Sequence, residues 1–217
     1  MAQTPKSIAG KEPHPSVPED GFDIDRVRRL IGEHRYTPIA SDDSRIPFAV
    51  LIPFYSMAGE LRIVLTKRTT LMRRNQGHVS FPGGRREDGD RDLLATALRE
   101  SHEEIGLDPR HVDVLGRVDD FSTRDGELFI AGFAGLIDPS RAPYPWRPAE
   151  TEVAEILEVP LGHLRDPVNI EVAEPRLLNG RMWPNETFIF RGHRIFGATA
   201  RALRHVLDIL EPGSSPA

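Results

Sequence analysis

The sequence predicts a single α+β domain rather than a doubly wound parallel sheet. Strand-like and helix-like runs are mixed without a regular strand–helix–strand alternation, and no internal repeat is visible. The chain has 217 residues, of which 39% are hydrophobic and 28% charged, so it can form one core of ordinary composition. We expect the domain to span residues 21–210, between a proline-rich flexible arm at 1–20 and a flexible tail at 211–217.

The first half of the domain is expected to contain two helices separated by two strands. Val27, Leu30 and Ile31 recur at helical spacing in the first helix, where an aspartate can cap the first turn. The second helix is expected to stop at Gly106, because Pro109 prevents its continuation. In chain order, these elements are a helix at Phe22–Arg35, strands at Phe48–Tyr55 and Leu61–Thr66, and a helix from about Arg91 to Ile105.

The second half is expected to contain mostly strands and to close with a helix. The closing helix is amphipathic, with apolar residues on one face from Ala200 to Leu210, and Gly192 marks the turn of a hairpin before it. These elements are strands around Val112–Val118, Leu128–Ile137 and Val153–Val159, a short helix at Leu161–Arg165, hairpin strands at Thr187–Phe190 and Arg194–Phe196, and a helix at Gly197–Leu210.

Composition and charge exclude several functional classes. The chain contains no cysteine, which excludes disulfides, thiolate zinc sites and cysteine nucleophiles. The formal net charge of −5 argues against a general nucleic-acid binder, because nonspecific affinity for phosphate backbones comes from excess lysine and arginine. No apolar run approaches the length of a membrane span and no signal peptide is visible, so we expect a cytoplasmic protein without a membrane partner. The sequence leaves open whether it forms a homodimer.

An acidic cluster on the second helix points to a function. Glu100, Glu103 and Glu104 are spaced i, i+3 and i+4, so they fall on one face, and Arg99 offsets part of their mutual repulsion. The alternative is an ordinary solvated helix face. Mg²⁺ and Mn²⁺ prefer oxygen ligands and would offset the repulsion far more strongly. We therefore expect the three glutamates to bind one of these ions, with the carbonyl oxygen of Gly84 as a further ligand.

The segments before this helix strengthen the prediction. Pro82 stiffens the loop, while Gly83 and Gly84 allow the backbone to approach a ligand closely. A basic cluster lies directly upstream, although the protein as a whole is acidic, and the planar fork of arginine suits phosphate oxygens. This cluster consists of Lys67, Arg68, Arg73 and Arg74.

Together these residues resemble the Nudix box. The match runs from Gly84 to Leu107, and RESHEEIGL (99–107) follows the pattern closely. Asp90 stands for the usual acid of the first half, one residue further from the helix motif than the standard spacing, and Ser101 takes a usually aliphatic position. The resemblance implies an α/β/α sandwich with a mixed sheet, a divalent cation, and cleavage of a nucleoside diphosphate linked to another group. The predicted catalytic residues are Arg99, Glu103 and Glu104.

An upstream motif is similar to the signature of coenzyme A pyrophosphatases within this family. The runs LTKRT (65–69) and FPGG (81–84), with the arginine and glycine between them, have the spacing of that signature. Asn75 and His78 depart from it. The resemblance implies cleavage of coenzyme A to adenosine 3′,5′-bisphosphate and 4′-phosphopantetheine. It also implies that the substrate is held by Arg68, Arg73 and Gly77.

Other substrates and another class of function stay open. Dinucleotides, ADP-ribose and nucleoside triphosphates are alternative substrates within the same family. A noncatalytic nucleotide-sensing module is the alternative from a different class, although such modules typically lose the carboxylates that this chain keeps. A carboxylate must also take the proton from the attacking water, and Glu104, Glu150 and Glu152 are the candidates for this base.

Overall fold

The computed structural model describes residues 23–38, 46–71, 76–123, 128–178 and 181–211. The expected flexible arm at 1–20, the tail beyond residue 211 and the predicted phosphate ligand Arg73 lie outside the described residues.

The described residues form four helices and eleven strands. The helices are α1 (Ile24–Glu33), α2 (Leu93–Ile105), α3 (Leu161–Arg165) and α4 (Gly197–Leu210). The strands are β1 (Ile46–Met57), β2 (Glu60–Arg68), β3 (Val79–Ser80), β4 (Gly83–Arg85), β5 (Val112–Arg117), β6 (Phe121–Ser122), β7 (Leu128–Ile137), β8 (Val153–Pro160), β9 (Ile170–Leu178), β10 (Arg181–Phe190) and β11 (His193–Ile195).

Eight of these strands form a mixed central sheet. Its main path is β3-β2-β1-β7-β5, and β4, β6 and β8 pair with β1, β7 and β2, respectively. Strands β1 and β7 run parallel, with Ile46 opposite Leu128 and Phe54 opposite Leu136, whereas the other pairs are antiparallel. Strands β9, β10 and β11 form a separate antiparallel sheet of three strands.

The central sheet has an apolar core on each face. Because side chains alternate along a strand, Leu51 and Ile52 of β1 belong to different cores. The core that contains Leu51 packs on α2 through Ala97 and Ile105. The core that contains Ile52 packs on α1 and α4 and reaches the smaller sheet through Phe188. Helices therefore cover both faces, which confirms the predicted α/β/α sandwich with a mixed sheet.

The structure contains several strands that are not predicted from the sequence, among them the two short strands β3 and β6. The bounds of β7, α3 and α4 are those predicted. However, Gly83–Arg85 pairs with β1 as a strand, where the sequence analysis predicts a loop. Strand β9 and the first half of β10 are missing from the prediction, because Pro175 and Pro184 interrupt a run of otherwise strand-like residues. Among the described residues, no helix is both long enough and apolar enough to cross a membrane.

Candidate active site

Helix α2 carries the acidic cluster and is fixed at both ends. Asp92 caps its start by accepting a hydrogen bond from a first-turn N–H at 2.8 Å. Gly106 ends it in the left-handed conformation (φ 69°), and its N–H donates to the carbonyl oxygen of His102 at 2.9 Å. Ser101 is fully buried, and its hydroxyl donates to the carbonyl oxygen of Ala97. These contacts fix the rotation of the helix about its axis and hence the direction of its glutamates.

Strand β4 brings two glycines against this helix. A Cβ atom on Gly84 would lie 2.4 Å from the carboxylate of Glu100. Gly83 has a φ of 153°, and a Cβ there would lie 2.3 Å from the carbonyl oxygen of Ala49 on β1. A side chain at Gly83 would meet the backbone of β1, so glycine is required there, whereas a side chain at Gly84 would displace the carboxylate of Glu100.

Glu104 is the most buried of the three glutamates, with 5% of its surface exposed. It accepts a hydrogen bond from the N–H of Gly83 at 3.2 Å. Burial is the main cause that raises the pKa of Glu104 to about 8, and the charges of Glu100 and Glu152 act in the same direction. Burial also raises the pKa of Glu100. A bound cation would lower the free-energy cost of ionising these two adjacent carboxylates.

Arg99 links the helix to the loop before it. Its Nε and Nη2 atoms donate to the two carboxylate oxygens of Asp90, each at 3.0 Å. Its Nη1 atom donates to Glu100 and Glu103 at 2.9 Å each, and Nη2 also donates to the carbonyl oxygen of Arg85 at 3.1 Å. Through these contacts Arg99 positions the neighbouring carboxylates. The predicted catalytic role of Arg99 stays a prediction.

Asp90 is the buried end of this network, with 7% of its surface exposed. Besides Arg99, it accepts hydrogen bonds from the N–H of Glu87 and the hydroxyl of Thr96, both at 2.9 Å. The hydrogen bond from Arg99 is the largest cause that holds the pKa of Asp90 well below its usual range. Thr96 is not among the site residues predicted from the sequence. Its only distinguishing feature in the sequence is a hydroxyl on the buried side of an amphipathic helix.

The three glutamates do not form one uniform face. The side chain of Glu103 is 56% exposed and bonded to Arg99, whereas that of Glu100 is 17% exposed and lies against Gly84. The cluster therefore divides into a buried pair, Glu100 and Glu104, and an exposed third member. The ligand roles predicted for all three and for the Gly84 carbonyl oxygen stay predictions.

Arg68 and Glu152 lie close to the buried pair. The charge of Arg68 acts to lower the pKa of Glu104, and its Nε atom is buried without a hydrogen-bond partner among the described residues. The charge of Glu152 acts to raise the pKa values of both Glu100 and Glu104. Two of the three candidate bases, Glu104 and Glu152, thus belong to this group, while Glu150 is exposed in the turn that precedes β8.

The backbone around Gly77 holds Arg68 at the end of β2. The N–H of Gly77 donates to the carbonyl oxygen of Arg68 at 3.2 Å, and the N–H of Arg68 donates to that of His78 at 2.9 Å. Gly77 has a φ of 68°, which favours glycine. The ring of His78 meets that of Phe196 edge to face, 4.9 Å between centroids. Gly77 therefore shapes the loop beside Arg68, and its predicted substrate-binding role stays a prediction.

The donor set of this group suits a hard divalent cation. Glu100 and Glu104 offer carboxylate oxygens, which Mg²⁺ and Mn²⁺ prefer. Burial opposes ionisation of both groups in the absence of a cation, and the backbone of Gly84 lies against one of them. The residues present therefore fit such an ion.

The chain is similar to proteins of one family. The NUDIX domain family matches residues 45–176. Peroxisomal coenzyme A diphosphatase NUDT7 from Mus musculus is 33% identical over 142 residues, which cover 65% of this chain and 57% of that protein. Mitochondrial coenzyme A diphosphatase NUDT8 from Homo sapiens is 32% identical over 169 residues, 76% of this chain and 70% of that protein. The chain thus spans little more than half the length of the mouse relative.

A solved structure shows the same fold at low sequence identity. The Nudix hydrolase RenU from M. smegmatis superposes with a TM-score of 0.51 and 15% identity, over 85% of this chain and 93% of that one.

Proposed function

This chain belongs to the NUDIX family, and we propose that it hydrolyses the diphosphate bond of coenzyme A or a coenzyme A derivative. The products would be adenosine 3′,5′-bisphosphate and 4′-phosphopantetheine. The observation that carries this proposal is the buried pair Glu100 and Glu104 with Arg68 close by, whose Nε atom has no hydrogen-bond partner among the described residues. It combines oxygen ligands for a cation with a guanidinium group for a phosphate.

The cation would be Mg²⁺ or Mn²⁺, held by Glu100 and Glu104 with Glu103 and the Gly84 carbonyl oxygen as further ligands. When bound, such an ion supplies Lewis-acid activation of the diphosphate and of the attacking water. Arg99 supports this arrangement by holding Glu100 and Glu103, at 2.9 Å each, so that neither carboxylate has to be ordered when the substrate arrives.

The remaining residues of the site would bind phosphate and accept a proton. The buried Nε atom of Arg68 has no hydrogen-bond partner among the described residues, so a rotation of the guanidinium group toward a phosphate oxygen would break no hydrogen bond of that atom. Glu104 and Glu152 are the better supported candidates for the base, because their charges interact in the folded protein. The names of the mouse and human relatives support coenzyme A as the substrate.

A substrate panel with product identification tests the proposal. The full chain would be incubated with Mg²⁺ or Mn²⁺ and with coenzyme A, oxidised coenzyme A, an acyl-coenzyme A, ADP-ribose, a dinucleotide and a nucleoside triphosphate. Mass spectrometry should find the two expected products, with coenzyme A compounds cleaved fastest. Much faster hydrolysis of ADP-ribose or a dinucleotide would reject coenzyme A as the substrate, and hydrolysis of none would favour a noncatalytic module.

A matched pair of variants on α2 tests the role of the acidic pair. Glu100→Gln should lower turnover by at least about two orders of magnitude, the scale expected when a major electrostatic contributor is lost. His102→Gln is the control, since His102 is exposed on the same helix two residues away. Equal activity of Glu100→Gln and His102→Gln would contradict the assignment.

A further inference from the structure

A second group of potential metal ligands lies outside the candidate active site. The Nε2 atom of His34 is 2.9 Å from one carboxylate oxygen of Asp119, and the Nε2 atom of His205 is 3.5 Å from the other. The two imidazole rings meet edge to face with centroids 5.4 Å apart. One ligand atom from each of the three residues can be chosen so that all lie within 4.8 Å of one another.

The three residues come from three distant parts of the chain. His34 directly follows α1, Asp119 lies in the connection between β5 and β6, and His205 is on α4. Helices α1 and α4 pack on the face of the central sheet opposite to α2, which carries the acidic pair. This group is therefore separated from the candidate active site by the sheet.

We propose that His34, Asp119 and His205 form a binding site for a transition-metal ion of the zinc class. Two imidazole nitrogens and one carboxylate are a ligand set that zinc commonly takes, whereas Mg²⁺ prefers an all-oxygen set. With metal–ligand bonds of about 2.0–2.1 Å, tetrahedral geometry places neighbouring ligand atoms about 3.3 Å apart. The observed separations of 2.9 and 3.5 Å, each to a different oxygen of Asp119, lie on either side of that value. One ligand atom from each of the three residues lies within 4.8 Å of the others, so side-chain rotations would bring them to the tetrahedral distance.

The surroundings of Asp119 favour a cation. Burial opposes its ionisation, but the hydrogen bond from the Thr37 N–H at 2.7 Å and that from His34 outweigh it, and its pKa lies below the usual value. The Thr37 bond also fixes the carboxylate in place, as outer-shell bonds do in metal sites. The nearby cation Arg117 is bonded to Asp120 at 2.6 Å, so its charge is largely compensated.

The site is accessible to an ion from solution. The side chains of His34, Asp119 and His205 are 19%, 25% and 29% exposed, so an ion can enter without unfolding of the helices. Three protein ligands leave a fourth position for water.

An ion at this site would join the first helix of the domain to the last. It would connect residues 171 positions apart in sequence, from His34 to His205, and loops this long cost the most entropy to close. Helix α4 also contacts strand β3, since the hydroxyl of Thr199 near the start of the helix donates to the carbonyl oxygen of Val79 at 3.1 Å. The ion is therefore expected to stabilise the folded protein. Helix α4, which would carry one of its ligands, also supports the segment after Gly77.

Zinc binding by the full chain and three variants tests the proposal. The binding of Zn²⁺ would be measured by calorimetry in excess Mg²⁺, which competes with Zn²⁺ for the carboxylates of the candidate active site. The variants are His34→Gln, His205→Gln and His193→Gln. His193 is the matched control, because it is also a partly exposed histidine beside a carboxylate, 3.2 Å from Glu155, but has no second histidine in a metal-binding group among the described residues. Hydrolase activity with Mg²⁺ checks that each variant is folded.

The wild type and His193→Gln should each bind one zinc ion per chain. His34→Gln and His205→Gln should both lose at least about tenfold in affinity, because each lacks a direct ligand. At a zinc concentration about 100-fold above the dissociation constant, the melting temperature of the wild type should rise by about 5–10 °C. Equal affinity of the wild type and either ligand variant, or no zinc binding by the wild type, would overturn the proposal.

A measurement on the wild type alone covers the case in which a ligand variant fails to fold. Co²⁺ in place of Zn²⁺ should give the intense visible absorption of a four-coordinate site with imidazole ligands. The proposal would also be overturned if Co²⁺ gave nothing more than the weak absorption of a six-coordinate ion with oxygen ligands.

Discussion

Replacing Glu104 with glutamine is expected to stabilise the folded protein at alkaline pH, although it should reduce hydrolysis. The pKa of Glu104 is raised from 4.5 to about 8 in the folded protein. Between these pH values the folded state keeps a proton that the unfolded chain releases, so the free energy of unfolding falls as the pH rises and levels off above pH 8. Glutamine has no proton to lose, and its side-chain oxygen can still accept the hydrogen bond from Gly83.

The size of the effect follows from the same two pKa values. At about 1.4 kcal/mol per pH unit, the interval from 4.5 to about 8 corresponds to a loss of up to about 5 kcal/mol in the free energy of unfolding. Glu104 is only 5% exposed, so solvent screens little of this cost. For a chain of this size, that is up to about 10–20 °C in melting temperature. The assay is thermal unfolding from pH 5 to 9 in buffer that contains EDTA.

Glu103→Gln is the matched control for this experiment. The same substitution is then made one residue away, on a side chain that is 56% exposed. Glu103→Gln should show the pH slope of the wild type, whereas Glu104→Gln should show a much smaller one and a higher melting temperature at pH 9. Excess Mg²⁺ should reduce the slope of the wild type, since a cation favours the ionised carboxylate. Identical slopes for wild type and Glu104→Gln in EDTA would refute the reasoning.

Three further substitutions have expected outcomes. Asp90→Asn leaves Arg99 without its buried carboxylate partner, so the free energy of unfolding should fall by roughly 3 kcal/mol in urea denaturation, and an unchanged midpoint would contradict this. Gly84→Ala places a Cβ where the Glu100 carboxylate lies and should lower turnover by about 100-fold by displacing that carboxylate. Gly89→Ala, where a Cβ meets nothing within 4 Å, should not, and equal turnover of the two variants would argue against the close approach. Arg68→Ala should lower kcat/KM for coenzyme A by about 10- to 100-fold. A fall in kcat/KM for coenzyme A but not for dephospho-coenzyme A would indicate that Arg68 binds the 3′-phosphate. Unchanged kcat/KM for both substrates would show that Arg68 does not belong to the site.

The acidic cluster shows how far the sequence alone predicts the site. The spacing of Glu100, Glu103 and Glu104 correctly indicates that they lie near one another on α2. It does not indicate that Glu104 is buried and Glu103 exposed, because at i, i+3 and i+4 all three lie within about a third of the helix circumference. The difference comes from Gly83 on strand β4, whose N–H reaches Glu104 from another part of the chain.

One part of the fold that was not predicted does have a local signal in the sequence. Strand β9 ends just before Asn179-Gly180, and this dipeptide between two strand-like runs is a typical hairpin signal that the prediction does not use. The group of His34, Asp119 and His205 has no comparable signal, since its members are separated by 85 and 86 residues. Only the packing of α1 and α4 against the connection after β5 brings them together.

The orientation of the buried acidic pair is determined by contacts that do not involve a substrate. Helix α2 is fixed by its caps and by the burial of Ser101, and the loop before it is fixed by the paired hydrogen bonds between Arg99 and Asp90. Glu100 and Glu104 must therefore stay close together even though burial raises the pKa values of both. A site that can neither separate its carboxylates nor expose them lowers its free energy most by binding a cation. We therefore expect the rigid scaffold to favour the binding of a metal ion, which would offset the free-energy cost of keeping the two carboxylates buried together.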